Sequence, residues 1–403
     1  MPDRASVSLG VWVGVGGRYE PAELNGVSHF IEHLLFKGTR KRSAKRISQD
    51  VEGLGGYLNA FTAEENTCYF SRARHDRFDD LLEVVADMLL NSRLDPVEID
   101  KEREVIKEEL AMYLDQPQHH VHELLNELLW PDQPLGRSLT GTEQTLEAMR
   151  RAHLVGYLKT HYVAAGTLVA AAGNLRHTRV VQAVKAYAAK LPAGRRPGFA
   201  PATCDQRAPR LRLFTKATEQ TQVAIGFRAC SRHDERRYAL RLLNTLLGEN
   251  MSSRLFQIVR EDHGLAYSIG SSLGFFDDVG VLTISAGVET DKLPRALRLV
   301  ARELRRLVDS PPGAAELRRA RDYVIGQMDL SLENAENQMM WIGEQWLGYG
   351  KVFQPGEVRA RLAEVTPAQI RGVARDFLRP DRLSLALVSP LKSSARLNSL
   401  LAF

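Results

Sequence analysis

The second half of this 403-residue chain resembles the first half, and this duplication limits the folds that the chain can adopt. Four segments of the first half have weak counterparts in the second half, in the same order and at an offset near 210 to 217 positions. The pairs are 7–13 with 222–228, 53–61 with 264–271, 78–90 with 293–307, and 167–174 with 382–390. The consistent order, more than the weak identity of any one pair, indicates a duplicated domain.

Strand and helix patterns alternate in each half. Residues Val7–Val15 alternate with a period near two and are rich in β-branched side chains, which predicts a strand. Residues 79–90 carry the apolar stripe of an amphipathic helix. We therefore predict an α+β fold of two homologous domains, each an antiparallel sheet packed with helices. The segment 191–209, rich in Pro, Gly and Ala, is the predicted linker between domains at 1–195 and 210–403.

Composition excludes several classes of protein. The chain has 44% hydrophobic and 26% charged residues, which is typical of globular proteins. Its net charge of +5 is a small excess of basic over acidic residues. The sequence has no cluster of basic residues interleaved with aromatic ones, so we expect no nucleic-acid partner. No run reaches the roughly 18 to 20 apolar residues that a membrane span needs, and no signal-peptide pattern stands at the start. Cys68, Cys204 and Cys230 are far apart, which suits a reducing compartment and predicts a bacterial-type cytoplasmic protein.

An HxxEH motif, His29-Phe30-Ile31-Glu32-His33, lies within the segment 26–36, which carries helical spacing. Residues four apart on a helix share a face, so His29 and His33 can bind one ion. Zinc suits two imidazole nitrogens and one carboxylate, with a fourth position open. Glu32 is angled away from the ligand pair and can take a proton from a water molecule that the metal activates. The alternative is an ordinary polar helix face, although the motif should occur by chance in only about 2% of chains of this size.

This motif order is that of the inverzincins, and the chain resembles the pitrilysin and insulinase group, most closely its mitochondrial-processing-peptidase-like branch. The resemblance implies a LuxS/MPP-like fold, one Zn²⁺ per chain and a third ligand about 76 residues past the second histidine. Glu109 lies 76 residues after His33, and Glu102 lies seven residues before Glu109. The resemblance thus implies Glu109 as ligand and Glu102 as the carboxylate that orients a histidine. Glu108 is the alternative ligand, although a helix would point it about 100° away from that face.

The resemblance also implies two groups of substrate-binding residues. One is an edge strand that binds an extended peptide through backbone hydrogen bonds. Without the resemblance, an ordinary exposed strand after a Gly-rich turn fits this segment equally well. The second group, Arg260 and Tyr267, would bind substrate carbonyls and stabilise the oxyanion. The residues implied in the edge strand are Asn59, Ala60, Phe61 and Thr62.

Three features limit the assignment. Residues Arg241–Thr245, at the corresponding place in the second half, carry no HxxEH, so only the first domain should bind metal. The histidines His119, His120 and His122 follow Pro117 and lack a matching carboxylate pattern, so we predict an exposed or substrate-facing loop there. Family members usually have a further strand before the Val7–Val13 strand, so either the start is misassigned or the first sheet has one strand fewer.

The predicted function is a zinc-dependent endopeptidase that hydrolyses peptide bonds of unfolded peptides or presequences, with the substrate held extended between domains. The resemblance implies a homodimer, and a heterodimer with a metal-less paralogue is the alternative. The competing function is a non-catalytic peptide-binding or assembly subunit of a processing-peptidase-like complex. Such subunits usually lose parts of HxxEH, so the intact set of His29, Glu32, His33 and Glu109 favours catalysis.

Overall fold

The computed structural model describes residues 1, 3–395 and 397. Within them, nine strands form two sheets, and helices cover both sheets. The strands are β1 Ser6–Val13, β2 Tyr57–Thr62, β3 Thr67–Arg74, β4 Thr167–Gly173, β5 Arg210–Thr215, β6 Thr221–Ala229, β7 Ala266–Phe275, β8 Gly280–Val288 and β9 Leu383–Ser389. The α-helices are α1 Val27–Leu35, α2 Ala44–Glu52, α3 Phe78–Asn91, α4 Pro96–Asp115, α5 Pro117–Leu129, α6 Glu143–Ala148, α7 Arg151–His161, α8 His177–Ala188, α9 Arg237–Asn244, α10 Leu293–Asp309, α11 Ala314–Ser331, α12 Ala335–Tyr349, α13 Pro355–Glu364 and α14 Pro367–Phe377. None of these described helices is both long enough and apolar enough to cross a membrane.

The first sheet has the strand order β2-β3-β1-β4, and every neighbouring pair is antiparallel. Strand β1 is buried along nearly its whole length because α3 covers one face of the sheet and α12 covers the other. A strand that is covered on both faces is apolar at successive positions, which explains the run Val11-Trp12-Val13. The predicted strand at 7–15 and the predicted helix at 79–90 are confirmed as β1 and α3.

The second sheet repeats this arrangement, with the order β5-β9-β6-β8-β7. Its strands are antiparallel except for β5, which lies parallel to β9. Strand β9 is the counterpart of β4 and is completely buried. In the described residues of the first sheet β4 pairs only with β1, so that sheet has four strands where the second has five.

Two helices pack on the sheet of the other half of the sequence. The compact units exchange α5 and α12: α12 packs on β1 and β4 of the first sheet, and α5 packs on β6 and β9 of the second. Among the described residues, the first unit comprises 1, 3–111, 137–200 and 330–352, and the second comprises 112–136, 201–329, 353–395 and 397. The chain passes from one unit to the other at 200/201, within the segment 191–209 expected as a linker, and the limits 1–195 and 210–403 stay a prediction.

The loop prediction for the second histidine cluster is wrong, because His119, His120 and His122 lie on α5. Pro117 does end α4, but it also occupies the first turn of α5, where its missing N–H costs no hydrogen bond. His120 is buried, and its ring lies 4.5 Å from that of Phe214, centroid to centroid. Burial lowers the pKa of both His120 and His122, so these residues are part of a packed helix face.

The exchanged helix α12 gives a test of the first unit. Gly343 lies against the buried Trp12 indole, and a Cβ at this position would overlap the ring. We expect Gly343→Ala to lower the free energy of unfolding by roughly 1–3 kcal/mol, because the indole has no room to move. Gly156→Ala in α7 is the control, since open space surrounds that position and the change should stabilise by up to about 1 kcal/mol. Urea titrations of both variants measure the difference, and equal midpoints would contradict this packing.

Candidate metal centre

Helix α1 carries the HxxEH motif as an amphipathic helix. Its apolar side chains, among them Phe30, Ile31 and Leu34, are buried in the core of the first unit, which leaves both histidines on the partly exposed face. The helix starts after Gly26, whose φ of +92° lies in the left-handed region. A Cβ there would also overlap the backbone of Thr140, so glycine is required at this start.

Helix α4 brings the third predicted ligand to the same place. The Oε2 atom of Glu109 lies 3.7 Å from Nε2 of His29 and 3.6 Å from Nε2 of His33. Within the described residues these three form the only cluster of histidine, cysteine or acidic side chains with geometry for a metal ion. The alternative ligand Glu108 is exposed and is not part of this cluster.

The donor set fits zinc. Bonds of about 2.0–2.1 Å in a tetrahedral site place neighbouring ligand atoms about 3.4 Å apart, close to the separations between Glu109 and each histidine. Burial, followed by the charge of His33, lowers the pKa of His29 to about 4. His29 is therefore a neutral imidazole at neutral pH, which is the form that binds a metal. Three protein ligands leave a fourth position open for a reactant.

Glu102 contacts the second histidine of the motif, the residue that the family resemblance implies it would orient. Nδ1 of His33 lies 3.2 Å from Oε2 of Glu102, opposite the ring nitrogen that faces Glu109. Lys37 donates to the other oxygen of Glu102 at 2.7 Å. Burial alone would raise the pKa of Glu102, but these hydrogen bonds and charges lower it overall, so the carboxylate is ionised. The sequence prediction missed Lys37, although its position one helical turn after His33 was a usable signal.

Glu32 lies beside the cluster and is held from the first sheet. Thr62, the last residue of β2, donates a hydrogen bond of 2.6 Å from Oγ1 to Oε2 of Glu32. Burial raises the pKa of Glu32, and this outweighs the opposing effects of the Thr62 hydrogen bond and the nearby His33. A carboxylate with a raised pKa accepts a proton more readily, which suits a general base. The sequence did not predict this contact between Thr62 and Glu32.

The predicted substrate strand is β2, at the edge of the first sheet. In the described part of the chain β2 pairs with β3 alone, so its outer backbone groups face away from the sheet. Phe61 packs inward against Trp12, with ring centroids 5.6 Å apart. Asn59 accepts a hydrogen bond from the backbone N–H of Ala60 at 2.9 Å.

The predicted pair of the second half lies in the second unit. The guanidinium carbon of Arg260 lies 5.7 Å from the centre of the Tyr267 ring, so the two side chains are neighbours. Arg260 is in a π-helical segment, Phe256–Asp262, and Tyr267 lies at an irregularity in the pairing of β7 with β8. Such irregularities are frequent at functional sites. Tyr267 is 79% exposed.

The second unit carries a different polar cluster where the first carries the metal motif. Arg241 and Thr245 both bind the carboxylate of Glu249, at 2.7 Å in each case for the Oε2 atom. Asn244 donates to the same oxygen. An ion pair with hydrogen bonds thus occupies this place, in agreement with the absence of HxxEH from the second half.

Comparisons with known proteins show which families and relatives this chain resembles. Residues 1–143 match the family described as Insulinase (Peptidase family M16), and residues 148–324 match the one described as Peptidase M16 inactive domain. An uncharacterized zinc protease of Streptomyces coelicolor is 39% identical over 97% of this chain and 86% of its own length. An uncharacterized zinc protease of Bacillus subtilis is 35% identical over 96% of this chain and 94% of its own length.

Solved structures share the fold at low sequence identity. A protease from Helicobacter pylori matches with a TM-score of 0.90 and 20% identity, covering 97% of this chain and 95% of that one. A chain of Complex III from Candida albicans matches with a TM-score of 0.85 and 18% identity, covering 100% of this chain and 96% of that one. At such identities the likeness shows the fold alone.

The contact between His33 and Glu102 gives a test of the centre. We expect Glu102→Gln to weaken zinc binding about 10- to 100-fold, because the His33 ring loses the charged acceptor that fixes it. Competition against a chromophoric chelator measures this affinity. Glu108→Gln, the same change at an exposed position of α4, is the control and should bind zinc like the parent. If instead Glu108→Gln weakened binding and Glu102→Gln did not, the ligand assignment on α4 would be wrong.

Proposed function

The chain belongs to the insulinase family of peptidases, M16, and from this membership we propose that it is a zinc-dependent endopeptidase for unfolded peptides or presequences. The observation that carries the proposal is the convergence of His29, His33 and Glu109 beside the half-buried carboxylate of Glu32. Relatives are named zinc proteases, which supports zinc as the metal.

We assign zinc binding to His29, His33 and Glu109, with one ion per chain. Zinc, when bound, supplies a Lewis acid that polarises the peptide carbonyl and lowers the pKa of water. Glu32 acts as the general base. Its Oε2 accepts the Thr62 hydrogen bond, so we assign Oε1 as the atom that takes a proton from the water that attacks the peptide carbonyl. The same proton then passes to the nitrogen of the leaving amine as the C–N bond breaks, because a carboxylic acid is a better donor than water.

The proposed substrate is an extended peptide that pairs with the outer edge of β2. Backbone hydrogen bonds hold such a strand, so they select for an unfolded segment more than for a particular sequence. Strand β2 ends at Thr62, which contacts Glu32, so a peptide along β2 leads toward the base. We assign Arg260 and Tyr267 to substrate carbonyls and the oxyanion, and their irregular backbone supports that role.

We further propose that the active form is a homodimer, with a heterodimer that includes a metal-less paralogue as the alternative. Sedimentation of the purified chain, alone, distinguishes the two. A cytoplasmic location is also part of the proposal, and the free thiols of Cys68, Cys204 and Cys230 support it.

Replacement of the base tests the mechanism. We expect Glu32→Gln to keep the metal but to lower cleavage of an unfolded, internally quenched peptide by about 10²- to 10⁴-fold, since the amide cannot accept the proton. Metal content is measured on the same preparation, and a chelator should abolish cleavage by the parent protein. Glu108→Gln should leave both properties unchanged.

Two results would contradict the proposal. Normal cleavage by Glu32→Gln would remove Glu32 from the reaction. A parent protein that binds zinc and unfolded peptide but never cleaves would favour the non-catalytic peptide-binding function.

A further inference from the structure

A short segment between β1 and α1 buries two opposite charges two residues apart. Arg18 is 1% exposed and Glu20 is 3% exposed. Burying a charge costs free energy unless it is well bonded, so each must have strong partners. Neither residue belongs to the metal cluster, and the partners of the two lie in different parts of the first unit.

Glu20 binds the start of the metal helix. Its Oε2 accepts from the backbone N–H of Gly26 at 2.7 Å and from the side-chain amide of Asn25 at 3.1 Å, and its Oε1 accepts from the N–H of Ser28 at 2.8 Å. The first N–H groups of a helix have no partner within the helix and carry its positive end. Gly26, at the N-cap position, has no side chain that could bind them. Glu20 therefore caps α1 from six to eight residues upstream, and His29 follows directly after the capped Ser28.

The backbone around Glu20 is fixed as well. Arg137 donates to the Glu20 carbonyl at 3.0 Å, and Asn25 donates to the Ser138 carbonyl at 2.9 Å. Burial raises the pKa of Glu20, against the lowering effect of its N–H donors. The hydrogen bonds of Arg137 and Asn25 hold this segment, and with it the Glu20 carboxylate, at a fixed place. The position of the carboxylate then determines where α1 starts.

Arg18 binds the turn that follows the substrate strand. It donates to Oε1 of Glu65 at 2.8 Å, and its guanidinium stacks over Phe199 at 3.9 Å. The backbone N–H groups of Gly17 and Arg18 donate to the carbonyls of Ala63 and Glu64, at 3.1 and 2.8 Å. These carbonyls are the first two after Thr62, so the segment fixes the end of β2.

We propose that Glu20 is a positioning residue for the metal helix and that the segment Gly17–Glu20 sets the placement of α1 against the end of β2. The inference rests on the proposed function but assigns residues outside that site. Glu20 is thus the first anchor, at the start of α1, and Arg18 is the second anchor, at the end of β2. The hydrogen bond between Thr62 and Glu32 joins these two parts, so a shift at either anchor would displace Glu32. Glu20 contacts the helix that carries the proposed metal ligands, so its loss should affect zinc affinity and kcat. Arg18 contacts the end of the proposed substrate strand, so its loss should affect KM.

Glu20→Gln tests the first anchor. The glutamine amide keeps the shape of the glutamate side chain but offers only one acceptor oxygen. Its NH₂ group would face one of the backbone N–H groups that now donate to the carboxylate. We expect about tenfold weaker zinc binding and about tenfold lower kcat, with KM changed by less than about twofold. Hydrogen exchange at Gly26 and Ser28 should accelerate. Glu20→Asp keeps the charge on a shorter stem and should restore part of the zinc affinity.

Glu23→Gln is the matched control, because Glu23 is an exposed carboxylate three residues away, and the change should alter none of these quantities. Zinc affinity and hydrogen exchange are measured apart from cleavage, at a temperature where circular dichroism shows each variant folded. An inactive parent would overturn the proposed function, while exchange at Gly26 and Ser28 would still decide the role of Glu20. Glu20→Gln with unchanged zinc affinity and unchanged exchange would overturn the inference.

Arg18→Lys tests the second anchor. Lysine keeps the charge but cannot reproduce the stacked, planar guanidinium, so the turn after β2 should loosen. We expect KM to rise about fivefold while zinc affinity stays that of the parent. Glu65→Gln removes the negative charge that Arg18 binds and should act in the same direction, which keeps the test usable if Arg18→Lys fails to fold. Loss of zinc affinity in both variants would show general loosening and would refute separate anchors.

Discussion

The placement of α1 against α4 is the constraint on which the candidate site depends. Glu109 and Glu102 lie on one face of α4 and meet the two ring nitrogens of His33 from opposite sides. A small shift between the helices would lengthen both contacts together. Helix α4 is itself fixed by Arg103, which is buried and donates to the carbonyls of Leu146 and Met149 at 3.0 Å. Contacts within the protein therefore hold the proposed ligands in one arrangement, which would lower the reorganisation that metal binding requires.

Duplication supplied the scaffold twice, and the two copies differ in the chemistry that they carry. Both sheets place an edge strand, β2 or β7, at the same position in the strand order. The first copy places the helix that carries HxxEH beside this edge, whereas the second places an ion pair of Arg241 with Glu249 at the corresponding helix. The irregular backbone at Arg260 and Tyr267 has no counterpart in the regular pairing of β2 with β3. A fold alone does not determine function, and these local differences separate the two copies.

Sequence predicted the parts of this structure that are set by short-range patterns. The alternation in β1, the stripe of α3 and the four-residue spacing of His29 and His33 are each confined to one element, so periodicity was enough to find them. The grouping of Glu109 with the histidines followed only from a family resemblance, because nothing local distinguishes one glutamate of the charged α4 from another. The exchange of α5 and α12 was missed, because an apolar stripe shows that a helix packs but not on which sheet. The contacts of Glu20 and Lys37 were missed because they join side chains whose partners depend on how separate elements pack.

The edge strand gives a physical reason for the proposed preference for unfolded substrates. The outer N–H and C=O groups of β2 can pair only with a backbone whose own groups are unpaired. In a folded protein nearly all buried backbone groups already have partners, so pairing with β2 would require local unfolding first. Thr62 adds a second constraint, because its hydroxyl is bound to Glu32 and would fix where a peptide paired along β2 meets the proposed base. Under the proposed function, selection by backbone pairing and placement by one hydroxyl would together make the conformation of the substrate matter more than its sequence.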